Sequence, residues 1–198
     1  MLFRSDGRAR AVDPDNRLLA RFGRRRLDAE AVRDTMLAIS GALDPALGGR
    51  AGNDDASPRR SIYLDVKRSR PSPFLRAFDF PDRVTGMARR SVTTTAPQVL
   101  LLMNAQATRG WAERFAARVL AEPVSLSASV APGSEPIHTA MALALGRAPA
   151  EGEVAEGLAF LEAQRAAYAA AGREDAPAAA LADYCQVLLG LNETLHVE

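Results

Sequence analysis

Arginine and threonine side chains gather at several points in the first half of the sequence, and they form the best candidate for a functional site. Arginine pairs in a planar geometry with carboxylate, phosphate or sulfate, and hydroxyl groups beside a helix N-terminus add hydrogen bonds to an anion. These residue types indicate a site for sulfated or carboxylated glycans, for phosphate, or for an acidic protein surface. The candidate anion-binding residues are Arg24, Arg25, Arg26, Lys67, Arg68, Arg89, Arg90 and Thr94, with Arg70, Thr93 and Thr95 beside them.

The same cations have a structural alternative, in which nearby carboxylates neutralise them. The acidic residues available for such pairs are Asp28, Glu30, Asp34, Asp65, Asp79 and Asp82. In this arrangement the arginines hold the fold together and bind no ligand. The two interpretations differ in whether the guanidinium groups converge on an open pocket or contact carboxylates.

Asp79 and Asp82, together with Asp65, are candidate residues for acid–base catalysis, because paired carboxylates can act as general acid and base. Spacing along the chain does not fix the distance between them in space. A turn with capping aspartates is the simpler interpretation of residues 78–82, and it is the one that we favour.

Metal and cofactor chemistry has few candidate ligands in this sequence. His138 and His196 lie 58 residues apart, and Cys185 is the single cysteine. One cysteine supports neither a disulfide framework nor a cysteine-based metal cluster nor a c-type haem attachment. We therefore predict no metal and no cofactor in this chain, and we interpret Cys185 as an inert thiol on an apolar helix face.

Length, composition and charge narrow the class of protein. The 198 residues fit one domain, or one domain with a small appendage. Residues 1–100 hold 19 basic and 12 acidic side chains, whereas residues 101–198 hold 6 and 12.

Aromatic residues make up only 6% and no nucleic-acid-reading motif is present, so nucleic-acid binding is not predicted. No apolar run approaches the ~18 residues of a membrane span, and residues 1–10 do not resemble a signal peptide.

Apolar residues at helical spacing dominate the pattern and predict a mainly α fold. The first helix follows Asp28 and presents Val32, Met36, Ile39 and Leu43, with Arg33 on the opposite side. Further helices are predicted at residues 74–78, after Thr95, around Trp111, Phe115 and Val119, and three times after residue 133. Ser134 is a candidate N-cap, while Gly146 and Gly172 are predicted helix ends. Residues 61–66 form the one convincing strand pattern.

The predicted architecture is therefore a helical bundle with one or two short β-strands in the N-terminal half. Residues 1–121 form a basic, α-rich part with long loops. Residues 122–133 contain two prolines and three serines and are predicted to be a linker. Residues 134–198 form a helical hairpin and a closing helix, packed on the first part.

Several short segments, taken in order, resemble the planctomycete-type domain of unknown function 1553. They are residues 13–19, 24–30, 33–34, 59–64, 68, 74–75, 78–82, 89–98, 102–104, 145–149 and 191–193. The sequence departs from the family pattern at residues 85–88, where members often carry a cysteine, and at residues 194–196, where they end in an aromatic residue.

This resemblance implies a context and no established activity or catalytic residues. Members resemble large, exported, envelope-associated proteins in which this domain is C-terminal, often behind a cytochrome-c-like domain. It implies that the chain is a C-terminal fragment. The hypothesis that we favour is a non-catalytic structural or protein-interaction role, with upstream domains or another protein as partners. The alternative is an enzyme-associated module that binds an anionic glycan through its arginine-rich face.

Overall fold

The computed structural model describes residues 11–18, 25–67, 72–81, 90–124 and 130–197. It confirms the mainly α fold. The elements in chain order are β1 (Arg25–Arg26), α1 (Ala29–Ile39), a 3₁₀ helix (Ser61–Tyr63), α2 (Pro73–Ala77), α3 (Ala96–Asn104), α4 (Gln106–Ala121), α5 (Glu135–Leu145), α6 (Glu151–Ala170), α7 (Ala176–Leu189), α8 (Asn192–Leu195) and β2 (His196–Val197). None of the described helices is long and apolar enough to cross a membrane.

The hydrophobic core has α7 near its centre, because α7 packs along both α4 and α6. The predicted stripe of α4 is buried, and Trp111 meets Phe74 of α2 edge to face at 5.4 Å between ring centroids. The core includes side chains from both sides of the predicted linker, such as Phe115 and Leu189. The division into two parts at residues 122–133 stays a prediction.

The predicted helix ends agree with the structure, but one predicted cap does not form. Gly146 and Gly172 follow α5 and α6 with φ near +70°, a conformation that glycine adopts without steric cost. Ser134 stands at the N-cap of α5, yet its side chain caps no helix N–H. Its hydroxyl donates instead to the carbonyl of Ala131 at 2.7 Å.

The strand predicted at residues 61–66 is wrong, because this segment starts with the 3₁₀ helix. A side chain of α1 binds the first backbone N–H that such a strand would use, and Leu64 forms only an isolated bridge with Gly52. Asp34 Oδ1 accepts from both the backbone N–H and the hydroxyl of Ser61 at 2.7 Å. The strands lie elsewhere: Arg25–Arg26 pairs antiparallel with His196–Val197, so the sheet joins the segment before α1 to the last described residues.

Arg33 is the residue that fixes the long loop after α1. Its side chain is fully buried, whereas the sequence analysis placed it on the outer side of the helix. The guanidinium donates to the carbonyls of Asp55 (3.1 Å), Ser57 and Arg59 (2.9 Å), and to the hydroxyl of Ser61 (3.2 Å). Burial lowers the pKa of Arg33 despite the nearby Asp34. The loop is thus organised by one buried cation that binds its backbone.

Arg147 lies in the turn after α5 and connects this turn with both α6 and α8. Arg147 binds Glu153 through both terminal nitrogens at 2.7 and 2.8 Å and reaches Glu193 at 2.8 Å. The hydrogen bonds from Arg147 lower the pKa of Glu153 to about 2, and the backbone N–H of Ala150 acts in the same direction.

We expect Glu153→Gln to destabilise the protein at pH 7 and to have a much smaller effect near pH 2. The depressed pKa means that the ion pair stabilises the fold above the unfolded value of about 4.3 and loses this contribution as the pH falls through about 2. Solvent screening limits the contribution to ~1 kcal/mol. Urea denaturation from pH 7 to pH 2 measures it, with Glu156→Gln on the same helix as the control. A pH-independent difference would contradict the prediction.

Candidate functional site

Arg26 and Asp79 form a buried ion pair at the centre of the predicted arginine set. The Arg26 side chain is 3% exposed, and its Nη2 lies 2.7 Å from Asp79 Oδ2. The same nitrogen donates to the carbonyl of Phe78 at 3.3 Å, and the guanidinium lies over the Phe78 ring at 5.4 Å. Arg26 is therefore bound to the turn that follows α2.

Asp79 has a structural function that uses both of its carboxylate oxygens. Besides Arg26, Oδ2 accepts from the backbone N–H of Thr93, and Oδ1 accepts from the Thr93 hydroxyl, each at 2.8 Å. The backbone of Asp79 is left-handed, with φ at 63°, which aspartate tolerates better than most residues. These contacts attach the threonine segment to the turn after α2.

The other described cations of the predicted set do not converge on one point. Arg90 binds Glu30 of α1 through two hydrogen bonds of 2.8 and 2.9 Å and lies over the Phe80 ring. Lys67 lies 3.3 Å from Asp65. Arg25 and Thr94 have no side-chain partner among the described residues, and both are exposed. Arg24, Arg68, Arg70, Arg89 and Asp82 lie outside the described residues.

Thr95 begins α3 as predicted, with a cap that depends on Gln98. The backbone N–H of Thr95 donates to Gln98 Oε1 at 3.2 Å, and Gln98 Nε2 donates to the carbonyl of Thr93 at 3.0 Å. The Thr95 side chain itself makes no cap hydrogen bond. The threonine hydroxyls are therefore not assembled into a common anion cradle with Arg26 or Arg90.

A cleft of about 1120 Å³ lies between the long loop and α4. Its walls are residues 53–56 and 64–67 on the loop, the start of α2, and residues 106–114 of α4. Lys67 and Asp65 belong to this lining, but Arg26, Arg90 and Asp79 do not. The cleft therefore brings together mostly residues that the sequence analysis did not select.

The outward face of α3 is apolar and exposed. Val99, Leu100 and Met103 are 52%, 57% and 65% exposed. The helix is nevertheless held firmly, because Gln186 of α7 donates to the carbonyls of Leu102 and Met103 at 3.0 and 2.9 Å.

Cys185 and His138 lie apart from these surfaces, whereas His196 faces Arg26 across the β1–β2 pair. Cys185 is fully buried, and burial raises the pKa of its thiol well above the ordinary value. His138 is buried in α5, and its Nδ1 has no hydrogen-bond partner among the described residues. Within the described ranges, no group of three His, Cys, Asp or Glu side chains is placed to hold a metal ion.

Comparison with known proteins identifies the family. A family model described as PSD1, protein of unknown function (DUF1553), matches residues 3–161. The chain belongs to the DUF1553 family. No curated protein and no solved structure matches it.

The DUF1553 match ends within α6, yet the core extends beyond it. Helix α7 follows the matched region and packs along α4, which lies inside it. Arg109 of α4 donates to Asp183 of α7 at 2.5 Å, and Tyr168 of α6 donates to the same carboxylate at 2.7 Å. The matched region and the last helices thus share one packed structure.

Arg33 is the residue of this DUF1553 chain that sequence reasoning missed. The resemblance included Arg33-Asp34 and the segment at 59–61, but it did not link them. One signal was available, because Ala29, Arg33 and Leu37 recur at i, i+4 and i+8 on one helix face. Both apolar neighbours on that face are buried, and so is Arg33.

Proposed function

We propose that this DUF1553 chain is a non-catalytic protein-interaction module of a larger envelope-associated protein. The observation that carries the proposal is the exposed apolar face of α3. Ala96, Val99, Leu100 and Met103 occupy positions i, i+3, i+4 and i+7, which is the spacing with which one helix packs against another. Contiguous exposed apolar side chains mark interaction sites in soluble proteins.

The composition of α3 supports this function. A helix that is apolar on all sides is normally enclosed by protein, but only Gln98 and Leu102 of α3 are buried. The hydrogen bonds from Gln186 keep the helix in place without covering its outer face. A partner helix, from an upstream domain or from another protein, would complete its burial.

The contacts of the predicted carboxylates support a catalytic function less well than a structural one. Asp79 is bound by Arg26 and by two groups of Thr93, so its oxygens are already occupied. A general acid or base must be within hydrogen-bond reach of a substrate proton. The contacts of Asp79 favour a structural role instead.

The alternative function, binding of an anionic glycan through the arginine-rich face, also has weaker support. Arg26, Arg90 and Lys67 each contact a carboxylate, which lowers their attraction for a further anion. A heparin resin tests this alternative directly, because salt-sensitive retention that is lost in an Arg25→Gln, Arg90→Gln variant would favour it over the protein-interaction role.

We expect a photo-reactive amino acid at position 100 or 103 to form one defined protein adduct when the chain is expressed in its native host. Position 166, on the exposed side of α6, is the matched control. Mass spectrometry of the adduct identifies a partner protein or an upstream domain of the same polypeptide. Leu100→Glu in the purified pair should then weaken binding at least tenfold. Equal labelling at positions 100 and 166 would contradict the proposal.

A further inference from the structure

We propose that the cleft between the long loop and α4 binds a small zwitterionic ligand, an amino acid or a short peptide that carries one cationic and one anionic group. This site is separate from the α3 face. Its volume of about 1120 Å³ is ample for such a ligand. Leu64, Leu75 and Trp111 give it an apolar floor, and charged side chains form its rim.

Hydrogen bonds hold the loop wall of the cleft from two sides. Asp55 Oδ1 accepts from the Ser72 hydroxyl and Oδ2 accepts from the backbone N–H of Phe74 at 3.1 Å, which ties the loop to the start of α2. From inside, Arg33 binds the carbonyls of Asp55, Ser57 and Arg59. The backbone that carries the neighbouring Asp54 is therefore fixed before any ligand arrives, which lowers the entropy cost of binding.

The opposite wall of the cleft is held in place by packing. It is the first half of α4, where Trp111 packs on Phe74 and Thr108 is fully buried. Gly110 lies on this wall, and a Cβ at that position would meet no atom within 4 Å. The absence of a side chain there leaves the space between the walls open.

Most charges around the cleft already have partners. Arg109 binds Asp183 at 2.5 Å and Glu113 at 3.0 Å. Lys67 lies 3.3 Å from Asp65. Lys67 and Asp65 neutralise each other, whereas the carboxylates of Asp183 and Glu113 share the one guanidinium of Arg109.

Two charged side chains of the lining, one of each sign, form no ion pair and no side-chain hydrogen bond within the described part of the chain. Asp54 acts electrostatically on the buried Arg33, but its carboxylate accepts no hydrogen bond from any residue in the described part of the chain. Arg114 on α4 is exposed and likewise has no side-chain partner there. The loop wall thus offers the carboxylate of Asp54, and the helix wall offers the guanidinium of Arg114. The amides of Asn53 and Gln106 also line the cleft and supply neutral donors and acceptors.

This distribution selects the class of ligand. A polyanion would gain from Arg114 but would be repelled by Asp54, and like-charge contacts cost affinity and specificity. A neutral ligand would cover both charges without compensating either, which carries a desolvation penalty. A zwitterion compensates both at once, with its cation at Asp54 and its anion at Arg114.

The single tryptophan of the chain lines this cleft, so its fluorescence reports occupancy. The probe is the blocked dipeptide acetyl-Lys-Glu-amide, with acetyl-Met-Gln-amide as its neutral counterpart and a sulfated disaccharide as the anionic one. We expect a saturable fluorescence change with the zwitterionic probe and at least tenfold weaker binding of the other two.

Asp54→Asn and Arg114→Gln should each weaken binding of the zwitterionic probe about tenfold or more. Circular dichroism should stay unchanged and melting should shift little, because both side chains are exposed and Asp54 has the smallest effect of three carboxylates on Arg33. The matched controls are Glu156→Gln and Arg165→Gln, two exposed residues of α6 outside the cleft lining, and they should bind like the parent. The proposal is overturned if no saturable change occurs, if the neutral or sulfated probe binds as well, or if the cleft variants bind like the controls.

Discussion

Arg33→Met is expected to lower the free energy of unfolding by about 3–5 kcal/mol, because three loop carbonyls and the Ser61 hydroxyl lose their common donor. The substitution keeps an unbranched apolar side chain on the buried face of α1 but removes the groups that donate to three loop carbonyls and to Ser61. Each carbonyl left unpaired in the interior costs ~1–3 kcal/mol. Urea denaturation followed by circular dichroism measures the loss.

Arg60→Met is the matched control for Arg33→Met. Arg60 is half exposed and lies 3.6 Å from Asp34, so its removal should cost ~1 kcal/mol or less. Equal losses for the two variants would show that Arg33 does not organise the loop. A selective loss in Arg33→Met should also raise the rate of proteolysis within residues 51–60, since these carbonyls no longer have a common donor.

Asp79→Asn is expected to destabilise the protein by about 3–5 kcal/mol, because it leaves the Arg26 guanidinium buried without its counter-charge. Asparagine tolerates the left-handed backbone at this position, so the substitution tests the charge and not the turn. Thermal and urea unfolding provide the measurement. Asp65→Asn, which removes the carboxylate of an exposed pair, serves as the control.

A second substitution separates the ion pair from the other contacts of Asp79. In the background of Asp79→Asn, Arg26→Met removes the uncompensated charge and should recover part of the lost stability. If Asp79→Asn unfolds like the parent protein, the structural role of Asp79 is wrong and an acid–base role regains support.

Helix positions could be predicted from the sequence because they depend on local patterns. The apolar stripe of α4 and the glycines after α5 and α6 act within a few residues of one another. The loop after α1 could not be predicted in this way, since its shape depends on Arg33 and Asp34, some 25 residues away along the chain. The strand predicted at residues 61–66 failed for the same reason.

The candidate sites can likewise be divided into features that the sequence predicts and features that depend on contacts between distant residues. The alternative in which arginines pair with carboxylates named Glu30, Asp34 and Asp79 correctly as partners of arginines. Asp65 pairs with Lys67 instead. The cleft was not predicted, since its walls come from a loop, a short helix and α4, and no motif links them. The exposed face of α3 was not predicted either, because an apolar helix is expected to be buried when only its sequence is known.

The pairing of β1 with β2 has a mechanical consequence. Arg25 faces Val197 and Arg26 faces His196, and just inside them the N–H of Leu27 donates to the carbonyl of Leu195 at 2.8 Å. A pulling force applied between residues 25 and 197 would act on these hydrogen bonds one after another and not on all of them together. The β1–β2 pair would therefore separate at low force, one hydrogen bond at a time, while the helical core stays intact.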